Sequence, residues 1–278
     1  MLIRWLNETD LSAVTRWIDN EGWLVDSREL EKIRTRFFYL SFGAFDGDFL
    51  LGAIMGYAHE KTAWLCNFIV DKELRKKGIG ARLFDRAFEA IVAEKPTQKL
   101  FAEPNMAAFY ERYGFKEEGV CGRFVLRGGS KAPSLGAERL RKLETKNVSS
   151  LLKYGSIAFG EERGAFVKED MLFTNSLILA SQNAVMHSRV IGKNVFAGPF
   201  LVREAAYSDA EFLIRGAIAI RGLKPISIDL PMENVEAARI LKIYGFEQKG
   251  ETIRMFRGDR LREKSDMIYC YATAGSHG

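Results

Sequence analysis

Residues 70–81 read Val70-Asp71-Lys-Glu-Leu-Arg75-Lys-Lys-Gly-Ile-Gly-Ala81, and this stretch decides the fold. Residues 62–70, which run into it, are rich in aromatic and β-branched side chains, which predicts a strand. After it, apolar residues recur at helical spacing, at Ile79, Leu83, Phe84, Ala87, Phe88 and Ile91. This period predicts a helix that packs on the sheet, so the stretch connects a strand to a helix in an α/β fold.

The connecting loop has the composition of an anion-binding site. Free backbone N–H groups at a helix start, together with the positive end of the helix dipole, attract anions. Gly78 and Gly80 would let the backbone approach a phosphate, and the basic residues Arg75, Lys76 and Lys77 add positive charge. The alternative is a tight turn with solvated basic side chains, because short glycine patterns often arise by chance. Residues 75–80 alone leave both interpretations open.

Strands and helices are predicted on both sides of this loop. Upstream we predict a strand at residues 2–6, a helix from residue 11, a helix at 27–37, and strands at 38–45 and 49–58. Asp46-Gly47 between the last two is a hairpin signal. Downstream we predict a strand at 99–102, a helix at 107–113 and a strand at 122–126. A helix that connects two strands indicates a locally parallel pair within a mixed sheet.

The second half of the chain repeats the first. Tyr113-Gly114-Phe115 recurs as Tyr244-Gly245-Phe246, and at the same offset the strand at 65–70 falls on residues 196–201. Residues 127–136, rich in Gly, Ser and Pro, have the composition of a linker. We therefore predict a tandem duplication, with one domain at 1–128, a linker at 129–136 and a second domain at 137–278. A chain of 278 residues is long enough for two cores.

Composition argues against several classes of protein. The 41 basic and 36 acidic residues leave a net charge of +5, too small to indicate nucleic-acid binding, which is the least favoured function. Cys66, Cys121 and Cys270 lie far apart in sequence, as do the three histidines, so neither a metal site nor a disulfide framework is expected.

Membrane insertion and secretion are not expected either. The N-terminus lacks the pattern of a signal peptide, and the longest apolar run, at 49–58, is about half the length of a membrane-spanning helix. We therefore expect a cytoplasmic protein with no membrane partner, either a monomer or a homodimer.

The loop and a second motif together resemble the GNAT acetyltransferase superfamily. Arg75-x-x-Gly78-x-Gly80 after a strand matches that family's Gln/Arg-x-x-Gly-x-Gly/Ala motif. Farther along, Tyr110-Glu111-Arg112-Tyr113-Gly114-Phe115 is similar to the end of its second motif, Tyr-Glu-x-x-Gly-Phe. The motif-bearing copy covers residues 1–127. The whole chain resembles two-domain members of the family in which an active domain precedes a degenerate one.

This resemblance implies a fold, a cosubstrate and a set of binding residues. The fold would be α/β with a mixed sheet, in two tandem GNAT-like domains. Each would have a mostly antiparallel sheet, a central splayed parallel strand pair and flanking helices. The cosubstrate would be acetyl-CoA, with no metal, and its pantetheine arm would pair with the strand before the loop. The implied cofactor-binding residues are Phe68, Ile69, Val70, Arg75, Lys76, Lys77, Gly78, Ile79, Gly80, Ala81, Asn105 and Tyr110.

The resemblance also implies catalytic roles. Tyr110 matches the tyrosine that protonates the departing thiolate, although a core aromatic residue is the alternative. Candidate general bases are Glu103 and Glu60, and each is more simply interpreted as a surface carboxylate. The second motif departs from the family in one respect. Its asparagine usually stands seven residues before the tyrosine, whereas Asn105 stands five before Tyr110.

The second copy lacks the features that would bind a cofactor. Leu241 occupies the tyrosine position, and residues 206–211, at the position of the basic loop, contain no glycine. We predict that this half keeps the fold but not the cofactor site. It would instead shape the acceptor pocket or a dimer surface, and complete a sheet with a final strand at 267–272.

Two functions remain open at this stage. The first is an acetyl-CoA-dependent N-acetyltransferase in which a small-molecule or peptide amine attacks the thioester directly. The second is a non-catalytic sensor or scaffold that binds acyl-CoA, which would need the loop but no general base.

Overall fold

The first half of the chain forms the predicted succession of helices and strands. In the computed structural model, which describes residues 1–131, 141–142, 149–163 and 175–272, these elements follow the order expected from the sequence. They are β1 (Leu2–Trp5), α1 (Leu11–Asn20), α2 (Ser27–Arg36), β2 (Phe42–Asp46), β3 (Phe49–Ala58), β4 (Thr62–Val70), α3 (Ile79–Glu94), β5 (Thr97–Ala102), α4 (Ala107–Glu111) and β6 (Lys116–Leu126).

Several predicted boundaries in this half are wrong. The helix expected at 107–113 ends at Glu111, and the strand expected at 99–102 begins at Thr97. The strand expected at residues 38–45 begins only at Phe42, because Phe38–Leu40 forms a 3-10 turn. The strand expected at 122–126 begins at Lys116, six residues earlier. Its first residues are exposed and polar, so they lack the alternating apolar pattern by which a strand is predicted from sequence.

The second half repeats this architecture with a shorter connection before its long helix. Its elements are β7 (Arg141–Lys142), α5 (Ser149–Phe159), β8 (Ser176–Ala180), β9 (Ala184–Ile191), β10 (Asn194–Phe196), β11 (Phe200–Val202), α6 (Tyr207–Arg221), β12 (Ile226–Pro231), α7 (Val235–Ile243), β13 (Glu247–Arg257) and β14 (Ile268–Cys270). The predicted final strand at 267–272 is present but shorter at both ends, because Met267 belongs to a 3-10 turn and the strand ends at Cys270. Most of the predicted linker, residues 132–136, lies outside the described residues.

The strands of both halves join in one sheet, and the halves exchange a strand. The order is β1-β2-β3-β4-β5-β13-β6-β12-β10-β9-β11-β14, and β8 pairs with β9 and with β7. Strand β13 of the second half pairs with β5 of the first, and β6 of the first half pairs with β12 of the second. The predicted tandem mixed α/β fold is confirmed. The union of its two sheets through exchanged strands was not predicted.

The exchange is nearly symmetric, as expected for a duplicated sequence. Strands β6 and β13 run antiparallel, with Lys116 opposite Phe256 and Glu247 opposite Val125. Adding the offset of the Tyr-Gly-Phe repeat to Lys116 and Val125 gives Glu247 and Phe256, so the two ends of the pair are equivalent. An approximate two-fold axis therefore passes between β6 and β13, and each half completes the sheet of the other.

The first half places a helical layer on each face of its sheet. Helices α1 and α2 share one apolar cluster with Ala53 and Met55 of β3. Helices α3 and α4 share another with the intervening Ile54. This alternation follows from the two-residue period of a strand. None of the described helices is both long and apolar enough to cross a membrane.

Buried ion pairs connect the two halves. Lys99 of β5 binds Glu263, and Arg123 of β6 makes a two-pronged pair with Asp229 of β12 at 2.7 Å. Glu29 of α2 lies 3.4 Å from Arg189 of β9. Breaking one partner of a buried pair costs about 3–5 kcal/mol, because the remaining charge stays buried without compensation. The two halves are therefore parts of one folded unit.

Candidate active site

Strands β4 and β5 diverge part-way along their length. They pair in parallel from Thr62–Thr97 to Trp64–Lys99, and no further. Strand β5 continues to Ala102 with β13 on its other edge, where the pairs run from Gln98–Arg257 to Ala102–Ile253. The C-terminal half of β4 keeps β3 as a neighbour but has lost β5. Its backbone groups on the β5 side are therefore available to an extended ligand that pairs as an additional strand.

A bulge in β4 lies at this divergence. Ala53 pairs with Ile69 and Met55 with Cys66, so β4 contains one residue more than β3 between these pairs. Asn67, within the bulge, has φ 50°, an uncommon value for a residue with a side chain. The extra residue puts Cys66 and Ile69 in the same cluster on the α1 and α2 face. Such bulges occur beside active sites because they redirect backbone groups.

The basic loop begins where β4 ends. Arg75 donates from Nε to the carbonyl of Val70 at 3.1 Å and from Nη2 to Glu21 at 2.5 Å. Lys76 has φ 65°, and Lys76 and Lys77 are exposed. Gly78, with φ 78°, is the N-cap of α3, and no side chain caps this helix. The first N–H groups of α3 are therefore open to an anion at the positive end of the helix dipole.

Gly80 allows α3 to approach β4 closely. A Cβ atom at this position would lie 3.3 Å from Cζ of Phe68 and 3.4 Å from Cγ2 of Val70. The start of the helix therefore rests directly on the strand at the point where the strand loses its β5 neighbour. The loop and the diverging strands form one continuous site. The residues predicted from the sequence, 68–70 and 75–81, lie together in it.

Tyr110 lies on α4, on the other face of β4 from α1 and α2. Its ring is buried against Phe84, Phe109 and Phe115, with centroid distances of 5.5, 5.3 and 6.1 Å. Burial raises the pKa of its hydroxyl, and the negative charge of Glu103 raises it further. Among the described residues the hydroxyl has no hydrogen-bond partner. Tyr110 is therefore protonated at neutral pH and able to donate a hydrogen bond to a ligand.

The structure separates the remaining predicted site residues, Glu103, Asn105 and Glu60, into two places. Glu103 and Asn105 are exposed at the 3-10 turn that precedes α4, beside Tyr110. Glu103, not Asn105, corresponds to Asn234 of the second half, which caps α7 by accepting from Ala237. Glu60 lies between β3 and β4, at the end of β4 away from the bulge. It accepts from the backbone N–H of Glu162 at 3.2 Å.

A group of polar residues on the opposite face of the bulge was not predicted from the sequence. Glu29 and Arg189 are entirely buried, and Asn67 is 2% exposed. Glu29 occupies the buried face of α2 together with Leu30 and Ile33. A charged residue at a core position of an amphipathic helix is a signal that could have singled it out.

The corresponding region of the second half is closed by the chain itself. Only four residues connect β11 to α6, whereas eight connect β4 to α3. Strand β10 pairs in parallel with β12, as β4 does with β5. Beyond that pair, β14 lies between the strands. It pairs with β11 through Phe200–Cys270, and Tyr271 donates its backbone N–H to Asp229 of β12 at 2.9 Å.

Two family models match the chain, each described as an acetyltransferase (GNAT) domain. One matches residues 19–117 and the other residues 151–270, so together they cover most of the chain. The chain belongs to the GNAT acetyltransferase family. This tandem GNAT protein is accordingly an acyltransferase of a family that uses acetyl-CoA as cosubstrate.

Solved structures show the same tandem fold. A Pyrococcus horikoshii protein whose acetyltransferase assignment is provisional has a TM-score of 0.83 at 22% identity, over 100% of this chain and 95% of that one. A GCN5-related N-acetyltransferase from Sphaerobacter thermophilus has a TM-score of 0.68 at 13% identity, over 95% and 98% of the two chains. A tandem GNAT protein from the clavulanic acid biosynthesis pathway gives 0.64 at 14% identity, over 92% and 98%.

These likenesses concern the fold alone, since all three identities are low. Comparison with curated proteins found no match. Among the described residues, no group of three or more His, Cys, Asp and Glu side chains is placed to hold a metal ion.

Proposed function

We propose that the first half of this GNAT protein binds acetyl-CoA and transfers its acetyl group to an amine by direct attack on the thioester. One observation carries the proposal: the unpaired edge of β4 runs directly into the uncapped, basic start of α3. An edge strand suits the amide-rich pantetheine arm, and a free helix start suits a pyrophosphate. In the proposal, residues 68–70 pair with the arm, and residues 75–81 hold the pyrophosphate.

The arrangement supports a reaction in which the amine attacks from one side of the sheet at the bulge and the thiolate leaves on the other. A thioester carbonyl placed at the bulge would be polarised by backbone N–H donors, which stabilise the oxyanion as the amine attacks. The amine nitrogen forms a bond to the carbonyl carbon, and the carbon–sulfur bond then breaks. The thiolate leaves toward the α4 face, where Tyr110 lies.

Tyr110 acts in this proposal by donating a hydrogen bond to the leaving thiolate. Its raised pKa keeps the proton on the phenol, so full transfer to a thiolate is unfavourable while a strong hydrogen bond remains available. Glu103 reinforces this state through its charge. The role therefore changes from the donor of a fully transferred proton to a stabiliser of the developing negative charge.

The second half has no cofactor role in this proposal. Its shorter loop lacks glycine, and β14 occupies the gap that would receive a pantetheine arm. Its contributions are β13, which completes the sheet beside β5, and side chains that reach the α1 and α2 face of the first half. The domains proposed at 1–128 and 137–278 are thus unequal in function.

A binding measurement tests the cofactor assignment. Acetyl-CoA at about 100 times its dissociation constant stabilises a protein by about 2.7 kcal/mol, which should raise the melting temperature by several degrees. Gly80→Glu should abolish this shift, because it adds a side chain against Phe68 and a negative charge at the phosphate site. Gly250→Glu is a matched control, since its Cβ meets nothing within 4 Å. An unchanged shift in Gly80→Glu would refute the assignment.

Release of free thiol then distinguishes a transferase from an acyl-CoA sensor. Acetyl-CoA is incubated with the protein and a panel of primary amines, and amine-dependent thiol release is followed. A transferase gives release that saturates with amine, whereas a sensor binds acetyl-CoA without accelerating release above the uncatalysed rate.

A further inference from the structure

Glu29 and Arg189 bring one charge from each half to the β4 bulge, on the face that α1 and α2 cover. Glu29 is on α2 and Arg189 on β9, and both side chains are entirely buried, with 3.4 Å between Arg189 Nη2 and Glu29 Oε2. Arg189 also donates to the carbonyl of Ala272 at 3.1 Å. Glu29 lies close to Cys66, whose pKa is raised by burial and then by the charge of Glu29. Cys66 directly precedes the bulge residue Asn67.

Asn67 gives an independent indication of a ligand. Its side chain is buried, and Nδ2 contacts Sγ of Cys66 at 3.5 Å, which places the amide beside the same thiol. Its Oδ1 atom is buried without a hydrogen-bond partner among the described residues. Leaving a buried acceptor without a donor costs free energy, so a donor on a bound ligand would be stabilised at this atom.

We propose that Glu29 and Asn67 bind the amino group of the acceptor, and that Arg189 of the second half positions Glu29. The proposal rests on the proposed function, because it assigns the acceptor side of that reaction. The oxygens of a carboxylate and of an amide accept hydrogen bonds and cannot donate them. A primary ammonium group has three N–H bonds and only donates. The acceptor class is therefore a primary alkylammonium, which enters from the α1 and α2 face.

Glu29 takes one proton from the bound ammonium. The N–H bond breaks, the proton passes to a carboxylate oxygen, and the freed lone pair attacks the thioester carbon. The carbon–sulfur bond then breaks and the thiolate leaves. The second amine proton is lost as the amide forms. One of the two released protons ends on the thiol, and the other passes from Glu29 to solvent.

Arg189 fixes the carboxylate of Glu29 without contacting the acceptor amine. Other charges facing this point are Asp26 and Arg28, which pair with each other at the start of α2 at 2.6 Å. Burial acts to raise the pKa of Asp26, but Arg28 lowers it, and the charge of Arg189 lowers it further. The second half thus supplies a charge that the cofactor-binding half lacks at its reaction centre.

The test uses the full chain with Glu29→Gln and Arg189→Met combined. Changing both partners avoids an uncompensated buried charge, so the protein should stay folded. The matched control is Asp229→Asn with Arg123→Met, which removes a partly buried ion pair between the halves. Both proteins are assayed with acetyl-CoA and with n-propylamine, n-hexylamine and putrescine.

We expect the Glu29→Gln/Arg189→Met protein to bind acetyl-CoA like the wild type and to lose at least 100-fold in kcat/KM for the amine. Its rate should keep rising with pH toward the amine pKa of ~10, whereas the wild-type rate levels off at lower pH. The control should keep the wild-type pH profile. Asn67→Ala should raise KM for the amine with a smaller effect on kcat.

Each result bears on a different claim. If the wild type does not bind acetyl-CoA, the proposed function fails. If the wild type acetylates the amines and the Glu29→Gln/Arg189→Met protein keeps its rate and pH profile, the inference fails while the proposed function stands. If the wild type binds acetyl-CoA but acetylates none of these amines, primary alkylammonium is the wrong acceptor class and the inference is overturned.

Discussion

Arg75 Nη2 lies 2.5 Å from Glu21 Oε1, so an ion pair connects the loop before α3 to the turn after α1. Both side chains are about one-third exposed, and Arg75 also holds the end of β4 through the Val70 carbonyl. A pyrophosphate bound at the start of α3 would compete with Glu21 for this guanidinium. If the proposed site binds acetyl-CoA, cofactor binding is coupled through Arg75 to the position of the α1–α2 turn.

Removing Glu21 should strengthen cofactor binding. In Glu21→Gln, Arg75 no longer has to give up an ion pair with Glu21 before it contacts the pyrophosphate. A partly exposed ion pair of this kind contributes about 0.2–1 kcal/mol. We expect acetyl-CoA to bind about 2- to 5-fold more tightly, as measured by titration calorimetry. Glu8→Gln removes an equal charge at an exposed site and should leave affinity unchanged. Weaker binding in Glu21→Gln would show that Glu21 organises the site instead of competing for it.

Tyr110→Phe should separate catalysis from stability. Loss of the hydroxyl removes a hydrogen bond to the leaving thiolate and should lower kcat by about 10²-fold. Because the buried hydroxyl has no partner among the described residues, the melting temperature should stay the same or rise slightly. Tyr113→Phe is the control, since Tyr113 donates to Asp85 at 2.6 Å. It should lose about 0.5–1 kcal/mol of stability without losing activity. Full turnover by Tyr110→Phe would remove Tyr110 from the mechanism.

Glu263 should make the fold sensitive to acid. Burial acts to raise its pKa, but the charges of Lys99, Arg163 and Arg254 prevail and lower it to about 2. The unfolded value is about 4.3, so the ionised group stabilises the fold above that pH. This contribution is lost as the pH falls from about 4.3 through 2. Melting temperatures between pH 6 and 2 should show the loss.

A variant at this position should change that pH dependence. Glu263→Gln should destabilise the protein by about 3 kcal/mol at neutral pH, because Lys99 and Arg254 lose a buried counter-charge. It should also have a shallower decline below pH 4.5. Glu251→Gln, at an exposed position on the neighbouring strand β13, should retain the wild-type decline. An unaltered acid profile in Glu263→Gln would mean that other carboxylates govern acid unfolding.

The strand exchange predicts that neither half folds alone. Residues 1–131 without β13 expose the edge of β5 and leave β6 unpaired, which favours aggregation. We expect residues 1–131 and 132–278 to be insoluble when expressed singly and to copurify as a folded pair when expressed together. An intact chain with a flexible insertion after residue 131 should fold normally. A soluble, cooperatively unfolding 1–131 fragment would contradict this prediction.

Local sequence patterns contain most of the residues that the proposed cofactor site uses. One short segment contains the glycines at 78 and 80 and the basic residues before them. The apolar patterns of the strand and the helix lie directly on either side of it. Strands at Phe49–Ala58 and Thr62–Val70 were predicted to the residue, because their apolar content and turn signals are local. Asn105 was the harder case, because a 3-10 turn with Glu103 at its N-cap precedes α4, and this local backbone geometry is not visible in the sequence pattern.

The tertiary structure alone decided how the two halves cooperate. The sequence indicated a duplication, but three features join residues far apart in the chain. They are the exchange of β6 and β13, the position of β14 between the diverging strands of the second half, and the pairing of Glu29 with Arg189. Periodicity reports which face of an element is apolar, and it does not report which partner covers that face. The sequence by itself thus determined the local strand–loop–helix unit with its basic loop. The partners of that unit were decided by packing, in which each half buries the sheet edge that the other leaves open.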